Sequence, residues 1–241
     1  MAKLKGSAIT LCHVAKSYYG DIPVDLMKQM EPFEQIFKIE KIPFKTVFGK
    51  GDFITEVSKL MEDLMPDLVL VGTHGKKGIK QNLFGSNIYK LIRSMKTPTL
   101  VLSDHSKTFS DGYEKILLPV APHDNYLVKV KQASSLLKEN GTIFIFAIVK
   151  ASMELPTKVK DNIAATKKYL DSVSVNWEYI EHDATKYSIG YSAETVQFAS
   201  DHKMDMVSIM INVSEDNKHF GDMDKENVIL NPHGTHVLCS I

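Results

Sequence analysis

The chain has 241 residues, 44% hydrophobic and 24% charged, a profile of a soluble globular protein long enough for one large core or two ordinary domains. Its 29 basic residues balance 29 acidic ones, so no net charge draws it to DNA, RNA or an anionic membrane. Its apolar runs fall short of the roughly 18–20 residues that cross a bilayer.

Taken in chain order, Lys3 and Lys5 before Ala8–Val14 imitate the start of a signal peptide. The apolar run is short, contains His13 and ends at Lys16, so it reads better as a strand. Strands are then expected at Phe44–Phe48, Asp67–Gly72 and Thr99–Leu102, with helices at Val24–Glu40, Asp52–Leu64 and Ser86–Met95. Phe53, Ile54, Val57, Leu60, Met61 and Leu64 form an i, i+3, i+4 stripe, and Asp52 is placed to cap that helix.

Residues 105–112 are polar and rich in turn formers, which makes them the linker between a domain at 1–104 and a second at 113–241. The second half reads as strand Lys115–Ala121, helix Asn125–Glu139, strand Thr142–Val149, helix Lys158–Val173 and strand Asn176–Glu181. Helix Ser192–His202 and strands Asp205–Ile211 and His236–Ser240 complete it. Alternating strands and helices predict an α/β fold with mainly parallel sheets.

The halves repeat one another. GSAITLCHV at 6–14 matches GTIFIFAIV at 141–149, MPDLVLVG at 65–72 matches KMDMVSIM at 203–210, and TLVLS at 99–103 matches HVLCS at 236–240. The order is the same and the separations nearly equal, which makes the chain a tandem repeat. By that register the first copy lacks the strand and helix that open the second at 115–139. Either its natural start lies upstream or the truncation is native.

The chemistry concentrates in the stretch from Asp67 to Asn87. A strand ends at Gly72, and glycines follow in the spacing G-x2-G-x9-G-S before a helix opens at Ser86. Gly72 and Gly75 let backbone amides approach a ligand closely. Gly85 and Ser86 sit at a helix start, where free N–H groups and the helix dipole favour a phosphate.

This motif, with its flanking strand and helix, resembles that of the universal stress protein family, in its ATP-binding branch. The resemblance covers the whole chain as a tandem pair, closely over 6–104 and loosely over 113–241. It implies two Rossmann-like domains, the first without its N-terminal strand and helix. They are expected to pair about a pseudo-two-fold, with edge strands 99–103 and 236–240 meeting near the junction.

It also implies ATP or AMP as ligand, with Val14 facing the adenine, Val71 and Gly72 beside the ribose, and Gly75, Gly85, Ser86 and Asn87 around the phosphates. Asn87 stands where the family often has a hydrophobic residue. The missing strand normally lies at the sheet's centre and supplies an aspartate to the nucleoside. Its loss leaves a slot, to be met by distortion, by direct pairing across the gap, or by a strand in trans.

The second copy departs differently. Ala121-Pro122-His123-Asp124 replaces the family's Asp-x-Ser, Met210 and Val213 replace the two glycines, and Asp222 follows the surviving Gly221. That half reads as a partner domain rather than a second site.

The other residues with chemical potential have plainer readings. His74 has no partner in sequence, Lys76, Lys77 and Lys80 read as a solvated basic loop, and the nine histidines show no metal-ligand spacing, so no metal is expected. Cys12 and Cys239 sit in strand-like runs too far apart for a disulfide framework, which points to packing and a reducing cytoplasm. Met27, Met30, Met61 and Met65 read as core or interface filler, and Phe144, Phe146, Trp177 and Tyr179 as core.

The expected function is a cytoplasmic stress-response protein that binds an adenine nucleotide with, at most, weak hydrolysis, since no Walker lysine or catalytic base is visible. The alternative is a tandem scaffold that acts on an unidentified protein partner. Nothing in the sequence decides between a monomer with internally paired domains and a homodimer.

Overall fold

The computed structural model of the chain describes residues 6–73, 86–103, 108–150, 153–184, 191–211 and 220–241. The first repeat comprises β1 (Ile9–Ala15), α1 (Val24–Ile39), β2 (Phe44–Lys50), α2 (Phe53–Leu64), β3 (Val69–Gly72), α3 (Ser86–Met95) and β4 (Thr99–Leu102). The second comprises β5 (Tyr113–Pro119), α4 (Tyr126–Ser135), β6 (Leu137–Val149), α5 (Thr157–Ser172), β7 (Asn176–Asp183), α6 (Ser192–Asp201), β8 (Met206–Met210), α7 (Phe220–Ile229) and β9 (His236–Ser240). The chain divides into two compact units, Met1–Pro66 and Asp67–Ile241.

In the first unit, β1 and β2 pair in parallel from Ile9↔Phe44 to Ala15↔Lys50. The Asp52 carboxylate accepts from the Thr55 N–H at 3.0 Å and from the Thr55 hydroxyl at 2.8 Å, the cap expected of it. The α2 stripe buries Val57 and Met61, while Met65 ends the helix in the left-handed region at φ 44°. Met65 and Met27 are exposed, so of the four methionines read as filler only Met61 is fully buried. Cys12 is also exposed, though partial burial still raises its thiol pKa.

In the second unit, seven strands form one sheet in the order β3-β4-β9-β8-β5-β6-β7. All neighbours run parallel except β4 and β9, which pair antiparallel with Thr99 opposite Cys239 and Val101 opposite Val237. The two strands expected at the junction thus meet and cover each other's edges. The core lies around β5, β6, β8 and β9, where Ile116, Leu118, Ile143, Phe146 and Leu238 are fully buried. Each such side chain contributes roughly 1.5–3 kcal/mol.

Since β3 and β4 hydrogen-bond through β9 into this sheet, residues 105–112 join two repeats inside one unit, and the compact units part instead at Pro66. β1 and β3 belong to different sheets, so direct pairing across the slot is not seen among the described residues.

The largest differences from the sequence expectation lie in the second repeat. β5 begins at Tyr113 and ends at Pro119, two residues earlier than expected at each end. α4 stops at Ser135, because Leu137 pairs with Tyr113 and carries the chain into an early start of β6. Gly141 is required there: a Cβ would lie 2.9 Å from Tyr113 O and 2.8 Å from Leu137 Cγ. Finally, α7 was hidden by its polar sequence. It buries Asp224 and Lys225 together with Val228 and Ile229, so half of its inner face carries charge.

Candidate functional site

The expected nucleotide residues fall in both units. Val14 lies buried on β1 in the first, where a Cβ on Gly49 would approach its Cγ2 to 3.0 Å. Val71 and Gly72 end β3 in the second unit, and Ser86 and Asn87 open α3. The Thr73 N–H donates to Leu102 O at 2.8 Å, which ties the exit of β3 to the exit of its parallel neighbour β4. α3 is held firmly, with Ile88, Leu91, Ile92 and Met95 buried. Gly75 and Gly85, with His74, Lys76, Lys77 and Lys80, lie outside the described residues.

A second location was not singled out by any motif. The second unit holds a cavity of about 490 Å³ at the C-terminal ends of the parallel strands β8, β5 and β6. Open α/β sheets bind their ligands at that end. The loop 119–123 leaves β5 along its wall, and Asn162 fixes that loop by donating its amide to Ala121 O at 2.9 Å and His123 O at 3.0 Å. Phe146, Ile148 and Val149 line it from β6, and Ile209 and Met210 from β8.

Its polar side chains are His123, Lys129, Lys150, Glu154 and Tyr191, and Glu154 pairs with Lys160. Lys129 on α4 is only 2% exposed and donates its ammonium to Pro119 O at 2.7 Å. That ammonium stands 4.3 Å from the centre of the Tyr126 ring. Burial pushes its pKa well below the usual lysine range. His123, also on the wall, is pushed down to about 4 by burial first and then by the positive charges of Lys129 and Lys225, with Asp124 opposing. At neutral pH His123 is therefore an uncharged imidazole beside a buried cation.

A sequence signal for this cavity existed in hindsight: Lys129 falls on the apolar face of its helix, between Tyr126 and Val130 and Ala133. Elsewhere, Phe144 and Phe146 are core as expected, whereas Trp177 and Tyr179 are half-buried on the edge strand β7 beneath the Lys167 ammonium. Cys239 is buried in β9, and burial raises its thiol well above the ordinary range. Among the described residues no group of three metal-ligating side chains stands together, and no helix is long and apolar enough to cross a membrane.

Residues 1–103 match the universal stress protein family. No curated protein matches the sequence of the chain. Among solved structures, a universal stress protein from Archaeoglobus fulgidus aligns at a TM-score of 0.64 with 13% identity, over 98% of this chain and 87% of that one. A functionally unknown protein from Pseudomonas aeruginosa PAO1 aligns at 0.62 with 14% identity, over 99% of this chain and 84% of that one. At such identities the likeness carries the fold alone, and it carries it through both repeats. Over residues 1–103 the chain is similar to the universal stress protein family.

Proposed function

We propose that this chain is a cytoplasmic stress-response protein that binds an adenine nucleotide, ATP or AMP, at the Gly72–Ser86 loop. The observation that carries the reading is the G-x2-G-x9-G-S spacing, set between the C-terminal end of parallel strand β3 and the first residue of α3. Strand ends and helix starts of this kind present free N–H groups to phosphate. Gly72, Gly75, Gly85, Ser86 and Asn87 hold the phosphates and ribose in this reading, with Val71 beside them. The two repeats, 1–104 and 113–241 joined by 105–112, are its two domains in the evolutionary sense. The nucleotide is a ligand rather than a substrate for fast hydrolysis.

Calorimetric titration of the full chain with ATP and AMP, alongside Gly85→Val, tests it. Binding to the parent and loss in the variant is the expected result. Binding untouched by the substitution refutes the loop as the site.

A second reading rests on one feature of the sequence. In the second repeat Met210 and Val213 stand at the places of the two motif glycines. A chain built this way serves as a tandem scaffold for a protein partner, and absence of any nucleotide binding by the parent favours that reading.

A further inference from the structure

The cavity of the second unit is a poor match for a polyphosphate. Its walls are mostly carbon, from Phe146, Ile148, Ile209 and Met210 among others, and Met210 occupies one of the glycine positions of the first repeat's motif. Its volume of about 490 Å³ nonetheless falls in the range of small-molecule sites, about 300–1,000 Å³.

Lys129 is the odd member of this wall. An ammonium has three donors, and Lys129 places one on Pro119 O. Among the described residues no carboxylate forms an ion pair with it. Burial disfavours the charged form of Lys129, and an anion arriving from solvent favours that form and offsets much of the cost. Lys225 adds to the positive field. It is 3% exposed on α7, and its ammonium donates to Ile211 O at 3.0 Å, just past the end of β8. Two buried ammonium groups thus stand at the C-terminal ends of the neighbouring strands β5 and β8, and of the two Lys129 lines the cavity.

We infer that this cavity binds a small apolar carboxylate. Its carboxylate pairs with the Lys129 ammonium, and its hydrocarbon body lies against Phe146, Ile148, Ile209 and Met210. An uncharged analogue of the same length lacks the group that Lys129 is placed to meet. A nucleoside triphosphate brings more negative charge than this wall can match.

The test is calorimetric titration of the full chain and of Lys129→Met with octanoate, 1-octanol and ATP, with methyl NMR of the parent as a second measurement. Octanoate is expected to bind the parent and to weaken about tenfold or more in Lys129→Met, the loss of one charge-assisted hydrogen bond. 1-Octanol should bind more weakly and equally to both. Methyl shifts with octanoate should concentrate at Ile148 and Ile209, and they decide the matter if the variant does not fold. The inference is overturned if the parent does not bind octanoate, if Lys129→Met binds it equally well, or if the shifts fall elsewhere. It is overturned as to ligand class if ATP competes with octanoate for the parent. None of these outcomes depends on nucleotide binding at the Gly72–Ser86 loop.

Discussion

Lys129 and Lys225 lie on two different helices, each donating its ammonium to a carbonyl oxygen at or just past the end of one of two adjacent strands, at 2.7 Å and 3.0 Å. Their charges add at the loop leaving β5, where both help to hold His123 neutral. A polar residue on the buried face of a helix usually weakens a core, and here it repeats.

Replacing Lys129 by methionine removes a buried charge and keeps most of its volume. Pro119 O retains the Tyr126 hydroxyl at 3.3 Å. Lys129→Met is expected to fold with stability between unchanged and a gain of about 2 kcal/mol. Urea denaturation reads this directly, and a loss of several kcal/mol contradicts it.

The pH dependence follows from His123. Its folded pKa, about 4, lies below the ordinary 6.5, so the unfolded chain binds the proton more readily between those values. The stabilisation is complete above pH 6.5 and is lost progressively as the pH falls toward about 4. His123→Gln should flatten this part of the stability curve. Thermal midpoints at half-unit steps of pH measure the difference between the two proteins.

Asn162 holds the loop 121–123 through two donated hydrogen bonds. Asn162→Ala leaves both carbonyls without that donor and should cost about 1–3 kcal/mol. The same substitution should speed amide exchange at His123, whose N–H donates to Ala121 O at 2.8 Å. Hydrogen exchange followed residue by residue separates this local loosening from global destabilisation.

Tyr113 and His236 share a buried hydrogen bond, Oη to Nδ1, at 2.6 Å. It links the first residue of β5 to the first residue of β9, with the Phe109 ring tilted against Tyr113 and edge-on to His236. Burial first, and then the negative charge of Asp205, push the Tyr113 hydroxyl above its usual range, so it stays protonated. Tyr113→Phe is expected to lower stability by about 1–2 kcal/mol in urea titration.

In the first unit, Gly49 faces Val14 across the β1–β2 pair. An alanine at 49 places its Cβ 3.0 Å from Val14 Cγ2, which forces one of the two to shift. Gly49→Ala should therefore destabilise more in the parent than in a Val14→Ala background, with a coupling of about 0.5 kcal/mol or more. A double-mutant cycle gives the number. Zero coupling would falsify the contact.

Much of the fold was legible because periodicity is a local property. α3 and β4 fall on the expected residues, and Asp52 caps α2 because an aspartate before an apolar stripe has little else to do. α7 was not legible, since Asp224 and Lys225 face inward and break the apolar stripe that marks a buried helix. The end of α4 was not legible either. It is set by the pairing of Leu137 with Tyr113, a contact between distant parts of the chain.

By itself the sequence determined the tandem repeat, the α/β class and the position of the glycine loop, because spacing and alternation are written residue by residue. Only the tertiary structure decided that β4 and β9 join antiparallel, drawing β3 and β4 into the sheet of the second repeat while β1 and β2 form another. Hydrogen bonding between strands depends on which edges meet, and no local pattern records that. The same holds for the cavity. Lys129, Phe146 and Ile209 are far apart in the chain, and only the parallel order β8-β5-β6 brings the buried Lys129 ammonium to an apolar chamber.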